Sequence, residues 1–324
     1  MTGKIYLTYG PPGCGKTTWA KDFINKNKGK RKVVIINRDD LRHQMFGGLE
    51  NYKYSKENEN YITEIQKSQI NELTKIPADI IISDTNLNPK NLGQWISIAK
   101  LYNYEVEIVD FFERFKERNI KKYGEMLDYF HLKDFKKECK EFNLKREDRR
   151  FIVPPQAIDK MFNDYLIPKC PLIKHEQSPN LSYCVVCDID GTLMHRLPIK
   201  ELGGQVRSPY DESLVRYDSP DNTVVDSINF ERDLGYDIFI FSGRHESCRD
   251  DTLYSLRQAG VYFDQLVMRP TDDNRRDEII KYEMYLNHIH GKFNIRVWYD
   301  DRNRVVETMR DVGIKVYQVN PGDF

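Results

Sequence analysis

The chain has 324 residues, long enough for two domains that each bury a core. A hydrophobic share of 40% against 31% charged residues describes a folded globular protein and excludes wholesale disorder. Lysine plus arginine equals aspartate plus glutamate at 50 each, which excludes a global pull on polyanions, so any polyanion must be held by local basic clusters.

The N-terminus runs straight into an apolar strand at 4–9 and carries no signal-peptide pattern. No apolar stretch reaches the length that spans a bilayer, so no membrane association is expected. Six cysteines lie scattered without a disulfide framework, which suits a reducing, cytoplasmic setting. Cys184 and Cys187 form a C-x-x-C spacing inside an apolar strand, with no second pair to complete a metal site, and are expected to pack.

After the first strand, Gly10-Pro11-Pro12-Gly13-Cys14-Gly15-Lys16-Thr17 satisfies GxxxxGK[ST], and a helix is predicted from about Lys16. The glycines Gly10, Gly13 and Gly15 let backbone N–H groups converge on phosphate oxygens at a helix N-terminus. Lys16 is expected to reach the β- and γ-phosphates of a nucleotide, and Thr17 to ligate Mg²⁺.

A second strand at 32–36 delivers Asn37-Arg38-Asp39-Asp40-Leu41-Arg42 to the edge where parallel sheets gather ligands. Asp39 could accept a proton from an attacking hydroxyl and Arg42 could grip a substrate phosphate, with Arg38 beside them as a further substrate-binding candidate. The same pattern also fits a helix N-cap with an acidic first turn. Tyr52-Lys53-Tyr54-Ser55-Lys56 could stack on a base, although aromatic packing fits it too. A third strand at 78–82 ends in Ser83-Asp84-Thr85-Asn86, where Asp84 could touch Mg²⁺ through water or orient Arg42.

Residues 121–150 mix basic and acidic side chains around Leu127, Phe130, Phe135 and Phe142, which predicts an amphipathic helix with a charged solvent face. Arg118, Arg146, Arg149 and Arg150 are candidates for a lid that neutralises a transferring phosphoryl group. A proline-punctuated stretch from Ile167 to Asn180 then reads as a connection between domains.

A buried strand from Leu181 to Cys187 leads into Asp188-Ile189-Asp190-Gly191-Thr192. This resembles motif I of the haloacid dehalogenase superfamily, and the other motifs follow in order: Ser242-Gly243-Arg244 after a strand, Lys281 on a helix, and Asp300-Asp301 at the end of another strand. In that chemistry Asp188 attacks phosphorus while Asp190 protonates the leaving oxygen and later activates water. Ser242 and Lys281 hold the phosphoryl group, with Mg²⁺ offsetting charge.

With both halves read, the chain resembles the phage-type bifunctional polynucleotide 5′-kinase/3′-phosphatases over nearly its whole length. The likeness rests on the P-loop, on Ile36–Asp40, on Ile82–Pro89, on the phosphatase motifs and on the closing Gln318–Phe324. It implies two α/β domains, a P-loop kinase over 1–172 and a Rossmann-like phosphatase over 181–324 with a small cap near 195–220. It implies ATP or another NTP as phosphate donor, Mg²⁺, RNA and DNA ends as substrates, an RNA ligase as functional partner, and a homotetramer. The implied activities are phosphorylation of 5′-OH ends, removal of 3′-phosphates and opening of 2′,3′-cyclic phosphates.

By position, the resemblance makes Lys16 and Thr17 ligands of ATP and metal, Asp39 the general base, Arg42 the grip on a 3′-phosphate, and Asp84 the support of that arginine. Asp188 and Asp190 become the phosphatase pair and part of the metal site, completed by Asp300 or Asp301. Ser242, Arg244, Arg269, Asp277 and Lys281 fall in the matching phosphatase segments. The lid carries an insertion after Arg118-Asn119, so beside Arg118 the second lid arginine is open, with Arg149 the first choice and Arg150 next.

Overall fold

The computed structural model describes residues 3–123 and 127–322. The chain divides into two compact units, Met1–Pro171 and Leu172–Phe324.

In the first unit the elements run β1 (Lys4–Tyr9), α1 (Lys16–Asn27), β2 (Lys32–Ile36), α2 (Arg38–Phe46), α3 (Lys56–Leu73), β3 (Ala78–Ile82), α4 (Pro89–Leu101), β4 (Glu105–Asp110), α5 (Phe111–Tyr123), α6 (Asp128–Leu144) and α7 (Pro155–Met161). The strands form one parallel sheet in the order β2-β3-β1-β4. Alternation along β1 sends Ile5 and Leu7 into a cluster with Ile70, Trp95 and Ala99. Tyr6 packs on the opposite cluster, built from Phe111, Phe115, Phe135 and Phe162. With both faces covered, β3 is buried at every residue, as a central parallel strand must be.

Helix α6 buries Phe130 and Phe135 as its pattern predicts, but Leu127 and Phe142 are exposed. Its inward row is completed instead by Leu132 and Cys139. That row seats α6 directly on the phosphate loop. Gly13 has φ +82°, and a Cβ there would overlap the Cys139 carbonyl oxygen.

The second unit begins as a strap rather than a free connection. Leu172 is buried, Ile173 N–H donates to the Tyr282 hydroxyl at 2.8 Å, and His175 N–H donates to the Val312 carbonyl at 2.9 Å. The elements that follow are β5 (Tyr183–Cys187), four two-residue strands β6 (Met194–His195), β7 (Pro198–Ile199), β8 (Gln205–Val206) and β9 (Ser219–Pro220), then α8 (Asn222–Asp233), β10 (Asp237–His245), α9 (Arg249–Gln258), β11 (Gln265–Arg269), α10 (Asp277–His288), β12 (Asn294–Arg302), α11 (Asn303–Val312) and β13 (Val316–Gly322). The main sheet is parallel in the order β11-β10-β5-β12-β13. The short strands pair antiparallel, β6 with β9 and β7 with β8, and make the small cap. Cys184 and Cys187 are fully buried in β5, and Cys187 belongs to the apolar core. Among the described residues no helix is long and apolar enough to cross a membrane.

This strand order governs chemistry. Because β5 lies between β10 and β12, the segments after these three strands emerge side by side at one sheet edge.

Candidate active sites

In the first unit, three strand ends are tied together by short polar bonds. Gly10 N–H donates to the Thr85 carbonyl at 3.0 Å, the Thr8 hydroxyl to the Asp84 carbonyl at 2.6 Å, and the Asn37 amide to the Ser83 carbonyl at 2.6 Å. Lys16 heads α1 and donates to the carbonyls of Gly10 at 3.0 Å and Pro11 at 2.6 Å, so its ammonium lies folded over the loop. Thr17 is exposed on the first turn of the same helix.

The segment after β2 forms a helix N-cap with an acidic first turn. Asn37 caps α2, its side chain accepting from Asp39 N–H at 2.8 Å and Asp40 N–H at 3.2 Å. That cap presents Asp39 one turn before Arg42, and their side chains meet at 2.6 Å. Asp84 does not join them. Its buried carboxylate accepts from Arg38 N–H at 2.9 Å and from the Gln66 amide at 2.8 Å, and burial pushes its carboxyl up.

Glu59, which the sequence did not single out, takes the place expected of Asp84. It accepts from Arg42 Nε at 2.9 Å and Nη2 at 2.8 Å, a bidentate pair, and from Arg38 Nη2 at 2.9 Å. The Tyr52 hydroxyl donates to it too, and the Tyr52 ring lies under the Arg42 guanidinium at 5.3 Å. Burial works to raise the Glu59 carboxyl, but Arg42 and Tyr52 outweigh it and hold it below its ordinary range. Arg118 of α5 pairs with Glu138 of α6 and lies over Phe115. Arg146 donates to the Phe151 carbonyl, Arg149 is exposed, and the Arg150 side chain lies outside the described residues.

In the second unit the expected acids converge at the carboxyl ends of β5 and β12. Asp188 is fixed by its N–H to the Tyr299 carbonyl at 3.0 Å. Lys281 of α10, fully buried, touches Asp188 at 2.8 Å, Asp300 at 2.9 Å and Asp277 at 3.2 Å. Oxygens of Asp188, Asp300 and Asp301 lie within 4.8 Å of one another. Gly191, at φ +84°, makes this possible, since a Cβ there would overlap the Asp301 carboxylate. Burial pushes Asp188 well up against the counter-pull of Lys281, with Asp300 and Asp301 adding to the rise. Burial and Asp300 also push Asp301 up to about 6.

Lys281 and Arg302 do not balance the four carboxylates around them, and among the described residues Asp301 Oδ1 is buried without a hydrogen-bond partner. An all-oxygen set with an orphaned lone pair fits a hard divalent cation. Asp190, expected among the metal ligands, turns its side chain elsewhere. It accepts from Arg244 Nε at 2.8 Å and Nη2 at 2.9 Å and from Arg207 Nη2 at 3.2 Å. Burial would raise it, but the charge and hydrogen bonds of Arg244, helped by Arg207, hold it down at about 2.

Both arginines are braced by Asp218, at 2.8 and 2.5 Å to Arg207 and 2.7 Å to Arg244. Arg207 and Asp218 carry no sequence signal of this task, because only folding brings them to Asp190 and Arg244. Ser242 is buried, with its hydroxyl accepting from Arg244 N–H at 3.2 Å. Arg269 directs its donors to the Gly243 carbonyl at 2.8 Å, the Asp273 carbonyl at 3.1 Å and Asp277 at 3.2 Å. Arg269 and Asp277 thus brace the β10 turn and Lys281 from behind. Of the closing segment, Asp323 and Phe324 lie outside the described residues.

The two units therefore define a P-loop kinase domain followed by a haloacid dehalogenase-type phosphatase domain. Comparison with known proteins agrees. Residues 182–324 match the polynucleotide kinase PNKP phosphatase domain, and residues 5–163 match the AAA domain. A protein of Autographa californica nuclear polyhedrosis virus, whose name joins polynucleotide kinase to RNA ligase, is 28% identical over 330 residues, covering 96% of this chain. The chain spans 41% of the length of that relative. Chains in solved structures of the Pnkp1/Rnl/Hen1 complex and the Pnkp1/Rnl/Hen1 RNA repair complex are 27% and 28% identical. Those matches cover 100% of this chain and 98% and 97% of the others, with TM-scores of 0.42 and 0.43.

Proposed function

We propose that the chain heals nucleic-acid ends, phosphorylating 5′-OH termini from ATP or another NTP in its first unit and removing 3′-phosphates, including 2′,3′-cyclic ones, in its second. The observation that carries the reading is the convergence of Asp188, Lys281, Asp300 and Asp301 beside Asp190, in a chain that also carries a P-loop and the Asp39–Arg42 pair.

In the kinase, Asp39 accepts the proton of the attacking 5′-hydroxyl, and Arg42, aimed by Glu59, grips the neighbouring 3′-phosphate. Lys16 leaves the loop carbonyls for the transferring phosphoryl group, and Arg118 leaves Glu138 to join it. In the phosphatase, the Asp188 carboxylate attacks phosphorus, the P–O3′ bond breaks, and Asp190 gives a proton to O3′. An incoming phosphate competes for Arg244 and Arg207, loosening the hold that keeps Asp190 ionised and allowing it to carry that proton. Mg²⁺ held by Asp188, Asp300 and Asp301 would supply charge neutralisation for an anionic nucleophile meeting an anionic substrate. Buried Lys281 adds fixed positive charge at the same place. Thr17 is the proposed metal ligand of the kinase.

The finer parts of the reading are an RNA ligase as functional partner, a homotetramer and a cytoplasmic location. The test compares a nucleoside, its 3′-phosphate and a short oligonucleotide as phosphate acceptors, and scores 3′-phosphate release in parallel. Preference for the oligonucleotide and nucleoside 3′-phosphate supports end healing; preference for the plain nucleoside would replace it with small-metabolite chemistry.

A further inference from the structure

The cap presents one aromatic side chain in an unusual setting. Residues Ser208–Asp211 form a tight turn closed by Asp211 N–H donating to the Ser208 carbonyl at 3.1 Å, while Tyr210 N–H donates to the Ser208 hydroxyl at 3.3 Å. Pro209 occupies the second position, where its fixed φ suits the turn. Arg207 clamps both ends, Nη1 donating to the carbonyls of Ser208 and Asp211 at 3.2 Å each. The same guanidinium reaches Asp190 through Nη2.

The turn is thus fastened, through one buried and fully braced side chain, to the carboxylate that meets the leaving oxygen. Two hydrogen bonds and the width of a guanidinium keep its carbonyls within roughly 8–9 Å of that carboxylate. Tyr210, in this rigid turn, is 92% exposed. A lone exposed aromatic is ordinary on a protein surface, but one held stiffly within a side chain's reach of the reacting group is placed to meet substrate. Within that distance of a nucleotide's 3′-oxygen lie its 5′-phosphate and its base, and of these only the base has a face that stacks on an aromatic ring.

We infer that Tyr210 is the stacking platform for the base of the nucleotide that carries the 3′-phosphate. The inference rests on the reading of the second unit as a nucleic-acid 3′-phosphatase. It gives the site a means of favouring nucleotide ends over small phosphate esters without selecting sequence, because every base offers a π-face.

The test uses the full chain and two oligonucleotides, one with an ordinary 3′-phosphorylated terminal nucleotide and one whose 3′-phosphate is borne by an abasic sugar. Tyr210→Ala should raise KM for the first about tenfold with kcat little changed, and Tyr210→Phe and Tyr210→Trp should restore it. On the abasic substrate the wild type should show the raised KM, and Tyr210→Ala should add nothing further. Unchanged kinetics of Tyr210→Ala, as a protein-docking role for this residue would give, or an equal loss on both substrates overturns the inference alone. A wild type that hydrolyses phenyl phosphate but neither oligonucleotide overturns the nucleic-acid reading beneath it as well.

Discussion

Replacing Glu59 by Gln tests how the kinase site is aimed. Four side-chain hydrogen bonds end on its carboxylate, two from Arg42, one from Arg38 and one from Tyr52. Glutamine keeps the shape but accepts at one atom only, and turns an NH₂ donor toward a guanidinium. Hydrogen bonds to charged groups are worth about 1.5–3 kcal/mol each when removed. The side chains of Glu59 and Arg42 retain 19% and 20% exposure, so solvent recovers part of that, leaving about 2–3 kcal/mol for the set. If Arg42 acts on substrate, the loss appears as a fall of about 30- to 150-fold in kcat/KM. The assay is steady-state phosphorylation of an acceptor bearing a 3′-phosphate, with 3′-phosphate release by the same preparation as a check on folding. Kinase activity within about threefold of wild type, less than 1 kcal/mol, would refute the claim that Glu59 aims Arg42. Loss of both activities would instead mark Glu59 as structural.

Two further outcomes follow from particular contacts. Gly13→Ala should abolish 5′-phosphorylation while sparing phosphatase turnover, because a Cβ at φ +82° overlaps the α6 backbone at Cys139; nucleotide-binding and kinase assays together would show it, and wild-type affinity would contradict it. Asp301, pushed up to about 6, binds a proton near pH 6 that a divalent cation must displace, so Mg²⁺ titration calorimetry in buffers of different ionisation enthalpy should show proton release at pH 6 that fades by pH 8. Release that is absent at pH 6, or that grows with pH, would contradict the sign of that shift.

What the sequence made legible was what is local. The P-loop, the strand ends and the paired aspartates can be read because a buried strand, a glycine turn and a helix are contiguous in the chain. Strand β4 escaped notice since Glu105, Glu107 and Asp110 interrupt its apolar residues at a sheet edge. Glu59 was hidden by a bland explanation, for an acid after the Ser55 cap suits any helix N-terminus. Asp84 misled for the opposite reason: the strand end that delivers it also buries it, and Arg38 N–H and Gln66 take up its oxygens. Arg207 and Asp218 lie 11 residues apart in a cap with little regular structure, and only folding brings them to Asp190 and Arg244. Tyr52 packs edge-on against Phe46, as aromatic packing predicts, and also lies under Arg42 with its hydroxyl on Glu59, a role its sequence does not reveal.

The central claim is that one chain holds two independent sites of opposite phosphoryl chemistry. A single oligonucleotide with a 5′-OH and a 3′-phosphate, resolved for both ends after reaction, tests it most directly. Wild type should give the 5′-phosphate and 3′-OH product. Asp39→Asn, which removes a proton acceptor without changing shape, should give only 3′-dephosphorylated material. Asp188→Asn, which removes the nucleophile, should give only 5′-phosphorylated material and no acid-stable phosphoenzyme. Loss of both end reactions from either folded variant would contradict the account and point to a single shared site.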